Sequence, residues 1–154
     1  MAIRNIVYSD DPLIRKKSKK VTDFSENLWE LLDDMKDTMR KNNGCGLAAV
    51  QVGVLKQAVV VEVNRMFLEL INPEILEEIG EACEIEGCLS VKNITGEVER
   101  PYSITVKALT RYNEEITITT EGLLTVVLCH EIDHLDGIIF TDKVINNTNN
   151  GIDK

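Results

Sequence analysis

No apolar run in the 154 residues approaches a bilayer span, which takes ~20 consecutive residues. The N-terminus, MAIRNIVYSDDPLIR, lacks the apolar core of a secretory signal, and its acidic pair argues against a transit peptide. A cytoplasmic protein with no membrane partner is therefore expected. Basic residues are scarce: 17 Lys and Arg against 26 Asp and Glu leave a net charge of −9, which disfavours a surface for nucleic acid. The one basic cluster, RKKSKK at 15–20, is flanked by acid and reads as a solvated turn before it reads as an anion-docking patch. Without a secretory signal, the four cysteines at 45, 83, 88 and 129 do not form an extracellular disulfide framework. They are expected as reduced thiols, free to ligate a metal or to fill small buried gaps. No internal repeat and no linker interrupts the chain. With a hydrophobic fraction of 44% and a charged fraction of 28%, one globular domain over 1–146 is expected, followed by a polar, mobile tail at 147–154.

Against these absences stand a few readable elements. SENLWELLDDMKDTMRKN (25–42) puts Leu28, Leu31, Leu32, Met35 and Met39 on one face of a helix, with Ser25 as its cap and Gly44 beyond its end. QAVVVEV (57–63) and FLELINPEIL (67–76) read as strands, and YSITVKALT and EEITITTE as a hairpin turning at Asn113. From Glu121 the period becomes helical, with Thr120 as N-cap and Gly137 as stop. The expected class is α+β, with mostly antiparallel sheets packed around a central helix.

That last helix holds the only two histidines, in LCHEIDHLDG (128–137). Four residues apart on a helix, His130 and His134 stack on one face and can share a metal ion. Leu123, Val126 and Val127 precede them on nearly the same face, so the metal face points inward. Glu131 is rotated ~100° from His130, beside the metal, where its carboxylate can take a proton from an activated water. The third ligand is expected upstream: no third His exists, no Glu follows Glu131, and Phe140 occupies the position where a longer metalloprotease pattern would want His. Asp142 and Asp153 are weak candidates, Asp136 points away, and Cys129 is turned from His130 as a buried thiol. Cys88, in EGCLS after Gly87, is favoured, with Cys45 and Cys83 still open.

Three ordered segments, GCGLAAVQ (44–51), EGCLS (86–90) and HEIDHLDG (130–137), resemble the motifs of bacterial peptide deformylases. YSDDPLIRKKSKKV, LINPEI and GEVERP are also similar to that family, so the resemblance runs from about Ile3 to Val144. It implies a hydrolase that removes the N-formyl group from the initiator methionine of new polypeptides and releases formate. It implies metal ligation by Cys88, His130 and His134, usually of Fe2+, with Zn2+ or Ni2+ able to substitute. Glu131 would act as base and then acid, while the side-chain amide of Gln51 and the backbone N–H of Leu89 stabilise charge on the formyl oxygen. Gly46 would pair with the substrate as an added strand, with Glu86 and Gly87 also in the substrate site. Cys45, Ile85, Leu123, Val126 and Val127 are the candidates for the methionine pocket.

Several residues depart from the family pattern. Cys129 stands where Gln is common, and VKNITGEVERP lacks the usual proline–glycine character. Arg100 is expected to pair with Asp133 behind the metal helix. The stretch after Val144 is too short for the long C-terminal helix with which some relatives dock on the ribosome, leaving transient ribosome proximity as the expectation. The rival readings are another metal-dependent amidase or small protease on the same ligands, and a catalytically silent peptide-binding relative.

Overall fold

A computed structural model describes residues 2–147. The expected first helix is α1 (Glu26–Lys41), with Ser25 at its N-cap position. After it the chain reverses through Asn43, whose φ of 57° is left-handed, and Gly44 donates its N–H to the Met39 carbonyl.

Among the described residues, eight strands follow in two sheets. β1 (Gly46–Ala48), β2 (Ala58–Val63), β3 (Met66–Ile79), β6 (Ser103–Leu109) and β7 (Glu115–Glu121) form a five-stranded sheet in the order β1-β2-β3-β6-β7. β4 (Ala82–Cys88), β5 (Val91–Arg100) and β8 (Val144–Asn147) form a three-stranded sheet in the order β4-β5-β8. Every pairing within both sheets is antiparallel, as expected. The hairpin at Asn113 is present, with Ser103 opposite Glu121 and Leu109 opposite Glu115.

β2 explains why the sheet can sit between helices. Ala58 and Val60 pack with Leu28, Leu32 and Met35 of α1, whereas Val59 and Val61 pack into the cluster containing Leu128 and Leu135. A strand buried on both faces reads as a continuous apolar run, and AVVV is one.

α2 (Leu123–Leu135) is the second helix and carries both histidines. Its start corrects the expected cap. Thr120 belongs to β7, Gly122 takes the N-cap position with φ 69°, and the Thr120 hydroxyl meets that of Thr125 at 2.7 Å. Its end agrees: Gly137 has φ 76°, and a Cβ there would run into the Arg15 carbonyl, so only glycine fits. Two strands exceed the expectation: β3 runs on to Ile79, and GEVER belongs to the ten-residue β5. β8 takes Asn147 from the expected tail, whose remaining residues lie outside those described.

Candidate metal centre

The three donors arrive from two elements. α2 places His130 and His134 one turn apart with ring centroids 5.1 Å from each other. β4 ends at Cys88, where its pairing with β5 shifts register between Glu86 and Cys88. The shift lets Glu86 stay buried while Cys88, two residues on, meets the helix. One ligand atom from each of Cys88, His130 and His134 lies within 4.8 Å of the others, and Cys88 Sγ is 3.4 Å from His134 Nε2. Donors bound at ~2.0–2.3 Å around a tetrahedral ion are separated by ~3.5 Å, so this set fits a metal. Its thiolate and imidazoles suit Fe2+, Zn2+ or Ni2+ alike. Cys45 and Cys83 are exposed and outside the cluster, Cys129 is buried, and Asp142 is committed to Arg15. Asp153 lies outside the described residues.

Glu86 borders the cleft as expected, and its carboxylate is turned inward, with Oε1 2.9 Å from His130 Nδ1. Arg100 grips it with two bonds, Nε to Oε2 at 2.8 Å and Nη2 to Oε1 at 2.9 Å. The Arg100 Nη1 reaches Asp133 at 2.7 Å, the expected pair behind the helix, and Lys143 meets the same carboxylate at 3.0 Å. Glu86 is therefore an orienting group for His130, leaving Nε2 of that ring to face the donors. Burial disfavours the Glu86 carboxylate, yet Arg100 and His130 outweigh it and hold its pKa below the usual range. Burial drives His134 down, with the nearby His130 adding to the effect. For His130 burial also pushes down, but Cys88 and Glu86 win and raise it.

Glu131 is 4% exposed, and burial pushes its pKa up to about 7. Among the described residues no group bonds its Oε1, and a Cβ on Gly46 would stand 2.7 Å from its Oε2. Glycine at 46 is thus what lets β1 pass over this carboxylate. Gln51 sits in a 3-10 turn (Ala49–Val52) after β1. Its Oε1 accepts the Ala48 N–H at 2.9 Å, and its Nε2 lies 3.1 Å from Ser90 Oγ and 3.5 Å from Cys88 Sγ.

A cleft of about 410 Å³ opens onto His130, Glu131 and Cys88. Cys45, Gly46, Ile85, Glu86, Gly87, Leu89, Leu123, Val126 and Val127 all line it, with Asn43 and Gly44 added. Ile85 and Leu123 are 66% and 51% exposed, apolar surface left uncovered by the described residues. β1 and β4, the edge strands of their sheets, flank the opening.

The family model for polypeptide deformylase matches residues 3–150. The chain belongs to the peptide deformylase family. A peptide deformylase of Caldicellulosiruptor bescii is 57% identical over 94% of this chain and 87% of its own length. One from Acetivibrio thermocellus is also 57% identical, over 94% of this chain and 85% of its own. Among solved structures, the Thermotoga maritima peptide deformylase superposes with a TM-score of 0.90 at 38% identity, covering 92% of this chain and 97% of that one. The Acinetobacter baumannii deformylase, in a crystal structure with Met-Ala-Ser bound, gives 0.88 at 31%, covering 92% and 98%. These matches confirm the α+β deformylase architecture. No helix among the described residues is long and apolar enough to cross a membrane.

The sequence did not single out Ser90, the partner of Gln51, or give Glu86 its orienting role. For Glu86 a signal existed: a buried-strand Glu near a single Arg at the far end of a hairpin is a candidate ion pair.

Proposed function

We propose that this chain removes the N-formyl group from the initiator formyl-methionine of newly made polypeptides and releases formate, with residues 1–146 as its catalytic domain. One observation carries the reading: Cys88, His130 and His134 converge beside a buried Glu131, whose Oε1 meets no partner among the described residues, at a peptide-sized cleft. Cys88, His130 and His134 would hold one divalent ion, Fe2+ by preference with Zn2+ or Ni2+ as substitutes. Such an ion supplies Lewis acidity, lowering the pKa of water toward neutrality and polarising a carbonyl.

The chain's own groups do the rest. The methionine side chain of the substrate enters between Cys45, Ile85, Leu123, Val126 and Val127. Its backbone runs along Gly46 and Gly87 as an added strand, an arrangement open to peptides of many sequences because main-chain groups make the bonds. Glu131 accepts a proton as water oxygen bonds to the formyl carbon. The Gln51 amide and the Leu89 N–H donate to the charge that develops on the formyl oxygen. The C–N bond then breaks, and Glu131 returns its proton to the departing amine. Glu86 and Arg100 keep the His130 ring in orientation throughout. The enzyme works in the cytoplasm, near ribosomes as new chains emerge.

The test is formate release from formyl-Met-Ala against acetyl-Met-Ala, using anaerobically purified protein whose metal content is measured on the same sample. We expect turnover of the formyl peptide alone, with an iron form whose activity decays in air. Equal and lasting activity of the iron and zinc forms refutes the iron preference. Binding without formate release refutes the enzyme.

A further inference from the structure

Gln51 is 1% exposed, so each polar atom of its amide needs a partner. The Ala48 N–H on Oε1 at 2.9 Å decides which end of the amide is oxygen. It does not fix the plane of the NH2 group, because the terminal torsion of glutamine is broad. The second anchor is Ser90 Oγ, 3.1 Å from Nε2 and itself on a residue only 1% exposed. With one N–H spent on that hydroxyl, the other is left on the Cys88 side, where Sγ is 3.5 Å away. That contact is long and its acceptor soft, so the second N–H can transfer to an oxyanion at little cost.

Ser90 is itself held in place. It lies in the turn after β4, Gln51 in the turn after β1, and these strands belong to different sheets. Residues 7–9 bridge them: the Val7 N–H donates to the Gln51 carbonyl at 2.7 Å and the Ser9 N–H to the Ser90 carbonyl at 2.8 Å. The distance between clamp and amide is thus set by one short backbone segment.

We propose that Ser90 is a positioning residue for the reaction: its hydroxyl holds one N–H of Gln51 so that the other is aimed at the formyl oxygen. The inference rests on the deformylase reading of the site. A positioning role predicts a loss in kcat that travels only through Gln51.

The test uses Ser90→Ala, Gln51→Ala and the double variant, each zinc-loaded with metal content measured, on formyl-Met-Ala-Ser. Ser90→Ala should lower kcat roughly tenfold with KM within about twofold, less than full removal of an oxyanion donor. In the Gln51→Ala background, adding Ser90→Ala should lower kcat no further. In 1H–15N spectra of the zinc form, Ser90→Ala should shift one of the two Gln51 side-chain amide protons, a readout that needs no turnover. Multiplying losses in the double variant, an unchanged kcat in Ser90→Ala, or unmoved amide protons would each overturn the role of Ser90. A wild-type protein that releases no formate sinks the deformylase reading, and this inference with it.

Discussion

Replacing Arg100 by Met should cost the protein much of its stability and weaken its hold on a metal. Arg100 is 3% exposed, and its Nε and Nη2 grip both oxygens of Glu86, which is 6% exposed. Removing it leaves the Glu86 carboxylate with His130 Nδ1, at 2.9 Å, as its one remaining side-chain partner among the described residues. Breaking a buried pair from one side costs ~3–5 kcal/mol, since an uncompensated charge stays behind. Asp133 adds little, because Lys143 remains 3.0 Å from it and both are nearer the surface. For a domain of this size ~1 kcal/mol moves Tm by ~2–4 °C, so the metal-free variant should melt ~6–20 °C lower. A loosened Glu86 no longer fixes the His130 ring, and metal affinity should fall ~10–100-fold. Thermal melts followed by circular dichroism, and competition with a chromophoric chelator, measure the two effects. Glu86→Gln/Arg100→Met should recover at least ~2 kcal/mol of the single variant's loss by removing the orphaned charge. A drop in Tm below ~3 °C for Arg100→Met, or no recovery in the double variant, would refute the buried-pair reasoning.

Glu131→Ala should lower turnover ~10²–10⁴-fold, the usual scale for a general base, while metal stoichiometry by atomic absorption stays at the wild-type value, because Glu131 is outside the donor set. Gly137→Ala should destabilise by at least ~1–3 kcal/mol from φ strain, and a chemical melt should show it, since φ is 76° and Arg15 blocks a Cβ. Asp34, buried against the Ala2 N–H at 2.7 Å and Arg4 at 2.9 Å, has its pKa lowered: burial opposes the charge, but its hydrogen bonds, these two among them, outweigh it. A depressed carboxylate gives stability that is present above its unfolded pKa and lost as pH falls through the folded one. Asp34→Asn should therefore flatten the acid limb of a stability–pH curve and leave its slope near neutrality unchanged.

The histidine helix was legible because its chemistry is local: a spacing of four on one helix face needs no knowledge of the rest of the fold. Cys88 stood open among three cysteines because the 42 residues to His130 are folded by sheet topology, which spacing does not encode. The inward role of the Glu86 carboxylate was hidden for a related reason. Strand alternation tells that Ile85 and Glu86 face opposite ways, but not which side is the core; Arg100, delivered by β5 opposite Ala82, decides it. GEVER carries little strand signal of its own because Gly and Glu are poor strand formers, and pairing on both sides overrides that preference. Thr120 looked like a cap on residue type alone, whereas β7 continues through it and hands the turn to Gly122.

β1 is only three residues long, and among the described residues one side of it has no neighbouring strand. An unpaired strand margin is sticky: the groups that would greet a guest greet a stray copy of the protein equally well. A margin of three residues offers few such groups to any adhering chain. Lengthening β1 would be expected to turn a surface suited to brief encounters into one that clumps.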